Sequence, residues 1–187
     1  MKITMKNKVY DLSSYSFSSD EQVLLDTNIW LYLYPAPMRP SYKFAAQYSK
    51  AFKALVSAEA QLVLDPMVLS EYLYRYTRIE FNANYKSKYS NFKDFRNSSH
   101  FSKFASGVET FAKEILSVCQ IHSIPANELD LDQALSAFSA GGEDFNDALL
   151  VDICKKRNLK LMTNDGDFQD GGIEVLTTNK KLIKACP

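Results

Sequence analysis

Short unbroken apolar runs alternate along this chain with stretches of helical periodicity. Val23-Leu24-Leu25 ends at Asp26, Leu62-Val63-Leu64 ends at Asp65, and Leu159 to Thr163 ends at Asn164-Asp165. Ile173 to Leu176 makes a fourth run. Runs of this kind lack the alternation of a half-solvated strand and predict strands buried on both faces of a sheet. Between them, Phe44, Tyr48, Ala51, Phe52, Leu55 and Val56 recur at helical spacing, as do Val108, Phe111, Ala112, Ile115, Leu116 and Cys119. Pro66 is placed to open a helix after the second run. Leu131, Ala134, Leu135 and Phe138 predict another helix, closed by Gly141-Gly142, and a further one runs from about Asp144 to Arg157.

Strands alternating with helices predict an α/β fold, with a mainly parallel sheet and helices on its faces. No internal repeat or linker interrupts the pattern, so residues 1–187 read as a single domain. Residues 1–21 are polar and Ser-rich and read as an N-terminal extension laid on a core that begins later. Residues 72–125 hold more helix than one crossover needs and read as a helical insertion.

The chain carries 22 Lys+Arg against 22 Asp+Glu, a formal net charge of zero, which excludes binding to polyanions through bulk charge. A hydrophobic fraction of 46% excludes a disordered chain. Cys119, Cys154 and Cys186 are odd in number and widely spaced, so they read as free buried thiols of a reducing cytoplasm. With only His100 and His122, histidine-based triads and zinc sites have little material. The first residues show no apolar targeting run, and Ile29 to Tyr34 is too short to span a bilayer. The expectation is a soluble cytoplasmic protein without a membrane partner.

In open parallel sheets, sites form beyond the carboxyl ends of the strands. Asp26 closes the first strand there, and Asp165 follows the third with Asp167 two residues on. Glu71 lies about one turn beyond Pro66, and Asp144 and Asp147 share one face at the start of their helix. Taken singly, Asp26 and Asp144 read equally well as helix caps, and Asp65, before Pro66, reads as a cap without chemistry. Asp170, before Gly171-Gly172, reads as a turn residue. Glu71 sits among apolar neighbours and needs a partner to offset desolvation. As a set, these acids converge on one sheet edge with no histidine or paired basic residue to neutralise them. A hard divalent cation, Mg²⁺ or Mn²⁺, is the usual resolution of such a cluster.

The sequence Leu24-Leu25-Asp26-Thr27-Asn28-Ile29-Trp30 resembles the opening motif of PIN-domain nucleases. Ser70-Glu71-Tyr72 sits where that family carries its second acid. Asp144-Phe145-Asn146-Asp147-Ala148-Leu149-Leu150 resembles its third motif, and Leu161 to Phe168 its fourth. The resemblance implies a three-layer α/β/α fold and a Mg²⁺- or Mn²⁺-dependent ribonuclease. It implies Asp26, Glu71, Asp147 and Asp165 as the metal-binding catalytic quartet. Asp144 is then an auxiliary acid, and Asp167 shares or replaces the role of Asp165. Thr27 and Asn28 shape the loop after the first strand, and Thr163 supports the fourth acid. Many bacterial members are VapC-type toxins inhibited by an antitoxin, and a homodimer fits both the resemblance and the Tyr-rich helical surface. The polar extension before Asp26 and the long stretch between Glu71 and Asp144 depart from the compact toxin pattern.

The neutral total conceals a division. From Tyr72 to Phe104, Arg75, Arg78, Lys86, Lys88, Lys93, Arg96 and Lys103 face only Glu80 and Asp94, with ten aromatics interleaved. Basic groups there suit phosphates and exposed rings suit unpaired bases, with Arg75, Arg78, Lys86 and Lys88 the candidate RNA contacts. Most of the rings, about two in three, read as core. From Ala126 to Cys154, seven acids meet no Lys or Arg. Two other classes compete. A haloacid-dehalogenase-like phosphatase wants a second Asp where Asn28 stands. A catalytically inactive PIN-like module would bind RNA or protein without cutting.

Overall fold

The computed structural model describes residues 5–36, 43–141 and 144–186. Gly142 and the first four residues of the extension lie outside them. Six parallel strands form one sheet in the order β1-β6-β5-β2-β3-β4. The four apolar runs are β2 (Gln22–Leu25), β3 (Gln61–Leu64), β5 (Lys160–Met162) and β6 (Glu174–Thr177). β2, β5 and β6 occupy the middle, where Val23, Leu24, Leu25, Leu161, Met162 and Val175 are buried. Helices cover both faces in a three-layer α/β/α arrangement, as expected.

Two strands were not expected. β1 (Lys8–Asp11) adds an edge beside β6, in register from Lys8 opposite Glu174 to Asp11 opposite Thr177. Part of the N-terminal extension is therefore sheet. Its signal is weak because Lys8-Val9-Tyr10-Asp11 is a half-buried edge strand with no continuous apolar run. The segment after it is anchored by Lys160, whose ammonium contacts Glu21, the Tyr15 hydroxyl at 2.6 Å and Glu174 at 3.3 Å. At the opposite edge, β4 (Gln120–Ile121) pairs with β3.

The helical stretch after Glu71 divides differently from the expected insertion at 72–125. α3 (Pro66–Glu80) is a core helix throughout, with Val68, Tyr72 and Tyr76 buried, and it continues into a π-helical turn at Phe81–Tyr85. α4 (Phe92–Arg96) and α5 (Ser99–Val118) follow, and α5 returns the chain to the sheet at β4. Phe95 is fully buried at the centre of an aromatic cluster, with the rings of Phe81, Tyr85, Tyr89, Phe92, Phe101 and Phe104 within 4.5–6.3 Å. Of the ten rings between 72 and 104, only Tyr74 is exposed, with Tyr85 and Tyr89 half-buried, so these rings form no extended apolar surface. The exposed apolar stripe lies instead on α6 (Leu131–Ser139), as Leu131, Leu135 and Phe138.

α1 (Thr27–Leu33), α2 (Ala45–Ser57), α7 (Phe145–Arg157) and α8 (Lys180–Ala185) complete the fold. Tyr48 of α2 is fully buried and reaches the ends of β5 and β6. Its hydroxyl lies 3.0 Å from both the Thr163 carbonyl and Asn164 Oδ1, and accepts from the Thr178 amide at 3.1 Å. Tyr48→Phe removes that hydroxyl and strands buried partners. The expected loss is about 1–3 kcal/mol of unfolding free energy, read from the urea midpoint.

Candidate active site

The sheet order reverses between β5 and β2, so the crevice forms at their carboxyl ends. The Asp26 amide donates to the Met162 carbonyl at 3.0 Å, which places Asp26 beside Thr163. Asp26 is the N-cap residue of α1, and its carbonyl accepts from the Ile29 and Trp30 amides. Its side chain caps nothing. The carboxylate accepts instead from Thr163 Oγ1 at 2.6 Å and from the Asn28 amide group. The other acids at helix starts behave as caps: Asp65 accepts from the Met67 amide, Asp130 from Gln133 and Asp144 from Asn146. Asp26 is thus a buried carboxylate at a helix start whose side chain is diverted from capping into the crevice.

Asn28 and Thr163 hold that arrangement. Asn28 Nδ2 reaches Thr163 Oγ1 at 3.0 Å, and its Oδ1 accepts from the Asn164 amide at 3.2 Å. Thr163 Oγ1 also accepts from the Asp165 amide at 3.0 Å, and Asp165 Oδ1 from the Asp167 amide at 3.0 Å. Thr27 and Asn28 lie in the first turn of α1 rather than in a loop. Thr27 points elsewhere: it is buried and its hydroxyl faces the Val68 carbonyl at 3.4 Å, tying α1 to α3.

Electrostatics link the four expected acids. Burial pushes the Asp26 carboxyl from 3.8 up to about 6, against the Thr163 hydrogen bond that lowers it, and Glu71 and Asp165 push it further up. Burial lifts Asp147 to about 7, helped by repulsion from Asp26, Asp165, Asp144 and Glu71. Asp165, not Asp167, is the member whose charge acts on both. Glu71 is half-buried and does have a basic partner, contrary to expectation: Arg75, one turn on, lies 3.2 Å away. That i,i+4 placement escapes a search for counter-charges that looks between segments.

Beside this cluster a cleft of about 220 Å³ is lined by Asp144, Asp147, Asp167 and Asp170, with Val151 and Phe168. Asp170, expected in a turn, instead forms an antiparallel bridge with Lys6, whose ammonium lies 2.9 Å from its carboxylate, and it walls the cleft. Among the described residues, no three His, Cys, Asp or Glu side chains are grouped closely enough to hold a metal ion alone. The donors around Asp26 and Asp147 are nonetheless all carboxylate oxygens. That chemistry fits a hard cation that keeps most of its water and takes one or two protein carboxylates.

The raised pKa values set a pH dependence for the ion-free protein. Below about pH 4, Asp26 and Asp147 are protonated in folded and unfolded chains alike. As pH rises from about 4 the unfolded chain ionises both while the folded chain keeps them protonated in a desolvated, repelling site, so stability falls until the folded values of about 6 and 7 are passed and then levels. The Asp26 displacement alone corresponds to on the order of 3 kcal/mol. Asp26→Asn keeps an acceptor for Thr163 without the charge. Its melting temperature without metal is expected to match wild type near pH 4 and to exceed it by several degrees at pH 8.

A family model for the PIN domain matches residues 23–174, from β2 to the first residue of β6. No curated protein matches the chain. Among solved structures, the fold is similar to VapBC2 from Rickettsia felis bound to a DNA fragment from their promoter. That pair shares 17% identity over 83% of this chain and 98% of that one, with a TM-score of 0.50. PAE2754 from Pyrobaculum aerophilum is 17% identical over 88% of this chain and 95% of that one, with a TM-score of 0.45. The likeness to VapBC2 concerns the fold, whereas the family model covers the segments that carry Asp26, Glu71, Asp147 and Asp165 in order. The chain belongs to the PIN domain family.

Proposed function

We propose that the protein is a metal-dependent endoribonuclease whose acids are Asp26, Glu71, Asp147 and Asp165. The observation that carries this reading is the Asp26 carboxylate, buried at the sheet's switch point, diverted from capping and repelled by its neighbours. PIN domains are generally nucleases, which supports the reaction class. Asp26, Glu71, Asp147 and Asp165 would hold Mg²⁺ or Mn²⁺, with Asp144 and Asp167 on the adjoining cleft wall. Once bound, the ion supplies a water of lowered pKa and charge stabilisation at phosphorus. Thr163 and Asn28 hold the Asp26 carboxylate in one orientation, so little reorganisation is left for the reaction. The chemistry hydrolyses an RNA phosphodiester to a 5′-phosphate and a 3′-hydroxyl.

The basic surface suits the rest of the RNA strand. Arg78 lies between Tyr74 and Phe92, 4.7 Å from the Phe92 ring centroid, which pre-orders its guanidinium. Tyr74 is 56% exposed, so its ring is available to an unpaired base. Lys86 and Lys88 are exposed beyond it, whereas Arg75 is engaged by Glu71. The apolar stripe on α6 supports a protein partner, an antitoxin or a second copy of the chain, and the cytoplasm is the expected compartment. Among the described residues no helix is long and apolar enough to cross a membrane.

The absence of a preformed three-ligand group among the described residues favours one competing reading, an inactive PIN-like module that binds RNA or protein. Calorimetry with Mn²⁺ separates the two: no heat at millimolar metal rejects the nuclease. Asp26→Asn and Asp147→Asn are each expected to lower RNA cleavage in Mg²⁺ by at least about 100-fold while the folded spectrum is kept. Wild-type rates in either variant would reject the assignment. Lys86→Ala with Lys88→Ala is expected to weaken single-stranded RNA binding and to flatten its log–log salt slope by about 0.7 per lost phosphate contact. An unchanged slope would move the RNA off this surface.

A further inference from the structure

Residues 5–8 lie outside the segment matched by the family model, yet they contact the loop that carries the fourth acid. Asn7 is 3% exposed, and its side-chain amide and backbone N–H face this loop. Its Nδ2 donates to the Phe168 carbonyl at 3.1 Å, its Oδ1 accepts from the Ile173 amide at 3.0 Å, and its backbone amide donates to the Gln169 carbonyl at 2.9 Å. One side chain thus joins both ends of the loop. The Met5 carbonyl accepts from the Gly171 amide at 2.8 Å, and Lys6 pairs with Asp170. On the other side, a Cβ at Gly171 would lie 2.6 Å from Val151 Cγ1, at φ +135°, so the loop is held between Asn7 and α7.

From Asn7 an unbroken series of hydrogen bonds leads to the buried carboxylate. Asn7 donates to the Gln169 carbonyl, and the Gln169 amide donates to the Asp167 carbonyl at 2.7 Å. The Asp167 amide donates to Asp165 Oδ1, the Asp165 amide to Thr163 Oγ1, and the Thr163 hydroxyl to Asp26 Oδ2.

We propose that Asn7 is a positioning residue for the site: the N-terminal segment clamps the Phe168–Ile173 loop and so sets where Asp165 and Asp167 stand relative to Asp26 and Asp147. The proposal rests on the metal-dependent reading of the site and deepens it by making Asn7, the residue before β1, part of what positions the site. A buried amide that satisfies two backbone groups of one loop costs free energy when removed, and groups that orient ligands indirectly typically alter metal affinity about 10–100-fold.

The test uses the full chain with three variants. Asn7→Asp keeps the acceptor for Ile173 and loses the donor to Phe168. Gly171→Ala strains the same loop where it passes between Val151 and Asn7, its Cβ 2.6 Å from Val151 Cγ1 and 3.2 Å from Asn7 Oδ1, while the Asn7 amide itself is kept. Lys8→Ala removes an exposed ion pair with Glu174 and a contact with the Tyr10 ring and leaves the Asn7 contacts in place. The readouts are Mn²⁺ affinity by calorimetry, the global unfolding midpoint, and hydrogen exchange at the Gly171 and Ile173 amides. Asn7→Asp and Gly171→Ala are each expected to speed exchange at those amides and to weaken Mn²⁺ binding about 10-fold, with β2 and β5 amides still protected. Lys8→Ala is expected to bind as wild type. Faster loop exchange with Mn²⁺ affinity within about 2-fold of wild type would make the clamp structural only and overturn the proposal, as would unchanged loop exchange. A wild-type chain that binds no Mn²⁺ would instead reject the nuclease reading on which the proposal stands.

Discussion

A carboxylate placed in a desolvated crevice costs free energy unless hydrogen bonds or a cation offset it. Asp26 is where this constraint falls. The pairing of β2 with β5 brings Thr163 next to it, and Asn28 folds back from the first turn of α1 to share the load. Those two donors offset part of the cost but not all of it, since Asp26 stays raised in pKa with Glu71 and Asp165 opposing its charge. The sheet's centre, the first turn of α1 and the loop after β5 are therefore bound to one another by the needs of a single buried oxygen pair.

That dependence explains why much of the fold was legible from residue pattern. Doubly buried parallel strands must be apolar throughout, so β2, β3, β5 and β6 stand out as unbroken runs, and their carboxyl ends mark the crevice. Asp26 and Asp165 follow from position alone. β1 and β4 did not, because edge strands have one solvated side and need no apolar continuity. Arg75 beside Glu71 and Asn7 behind the fourth-acid loop are contacts of geometry, and no composition or spacing rule announces which carbonyl a buried amide will meet. Asp170 illustrates the same limit: its place before two glycines suggests a turn, whereas the loop folded against α7 puts it in a bridge with Lys6 and in the cleft wall.

The division of charge acquires a physical sense in three dimensions. The acids at Asp144 and Asp147 line a cleft that disfavours phosphate while it carries its own negative charge. The excess of Lys and Arg after Glu71 starts on a helix that begins at the same crevice, since α3 carries Glu71 in its second turn and Arg75 and Arg78 further along. Most aromatic rings of that region serve a core built around Phe95, so what faces solvent there is chiefly cationic, with Tyr74 as the exposed ring. A neutral chain thus presents two surfaces of opposite sign without needing a net charge.

A site of this kind gains from being incomplete. Four carboxylates brought into full contact would bind an ion tightly but would repel each other strongly in its absence, raising the cost of folding. Among the described residues no three close on one point, which keeps that cost near the level that Thr163, Asn28 and partial protonation can offset. It also leaves positions on a hard cation for water and for a phosphate oxygen, which is the arrangement such ions favour. The consequence is that loop position matters more than in a closed cage. On the proposed metal-dependent reading each ligand contributes weakly, so a small displacement of the segment carrying Asp165 and Asp167 would change how many oxygens reach the ion at once, and the residues that fix that segment would matter to the chemistry without touching metal or RNA.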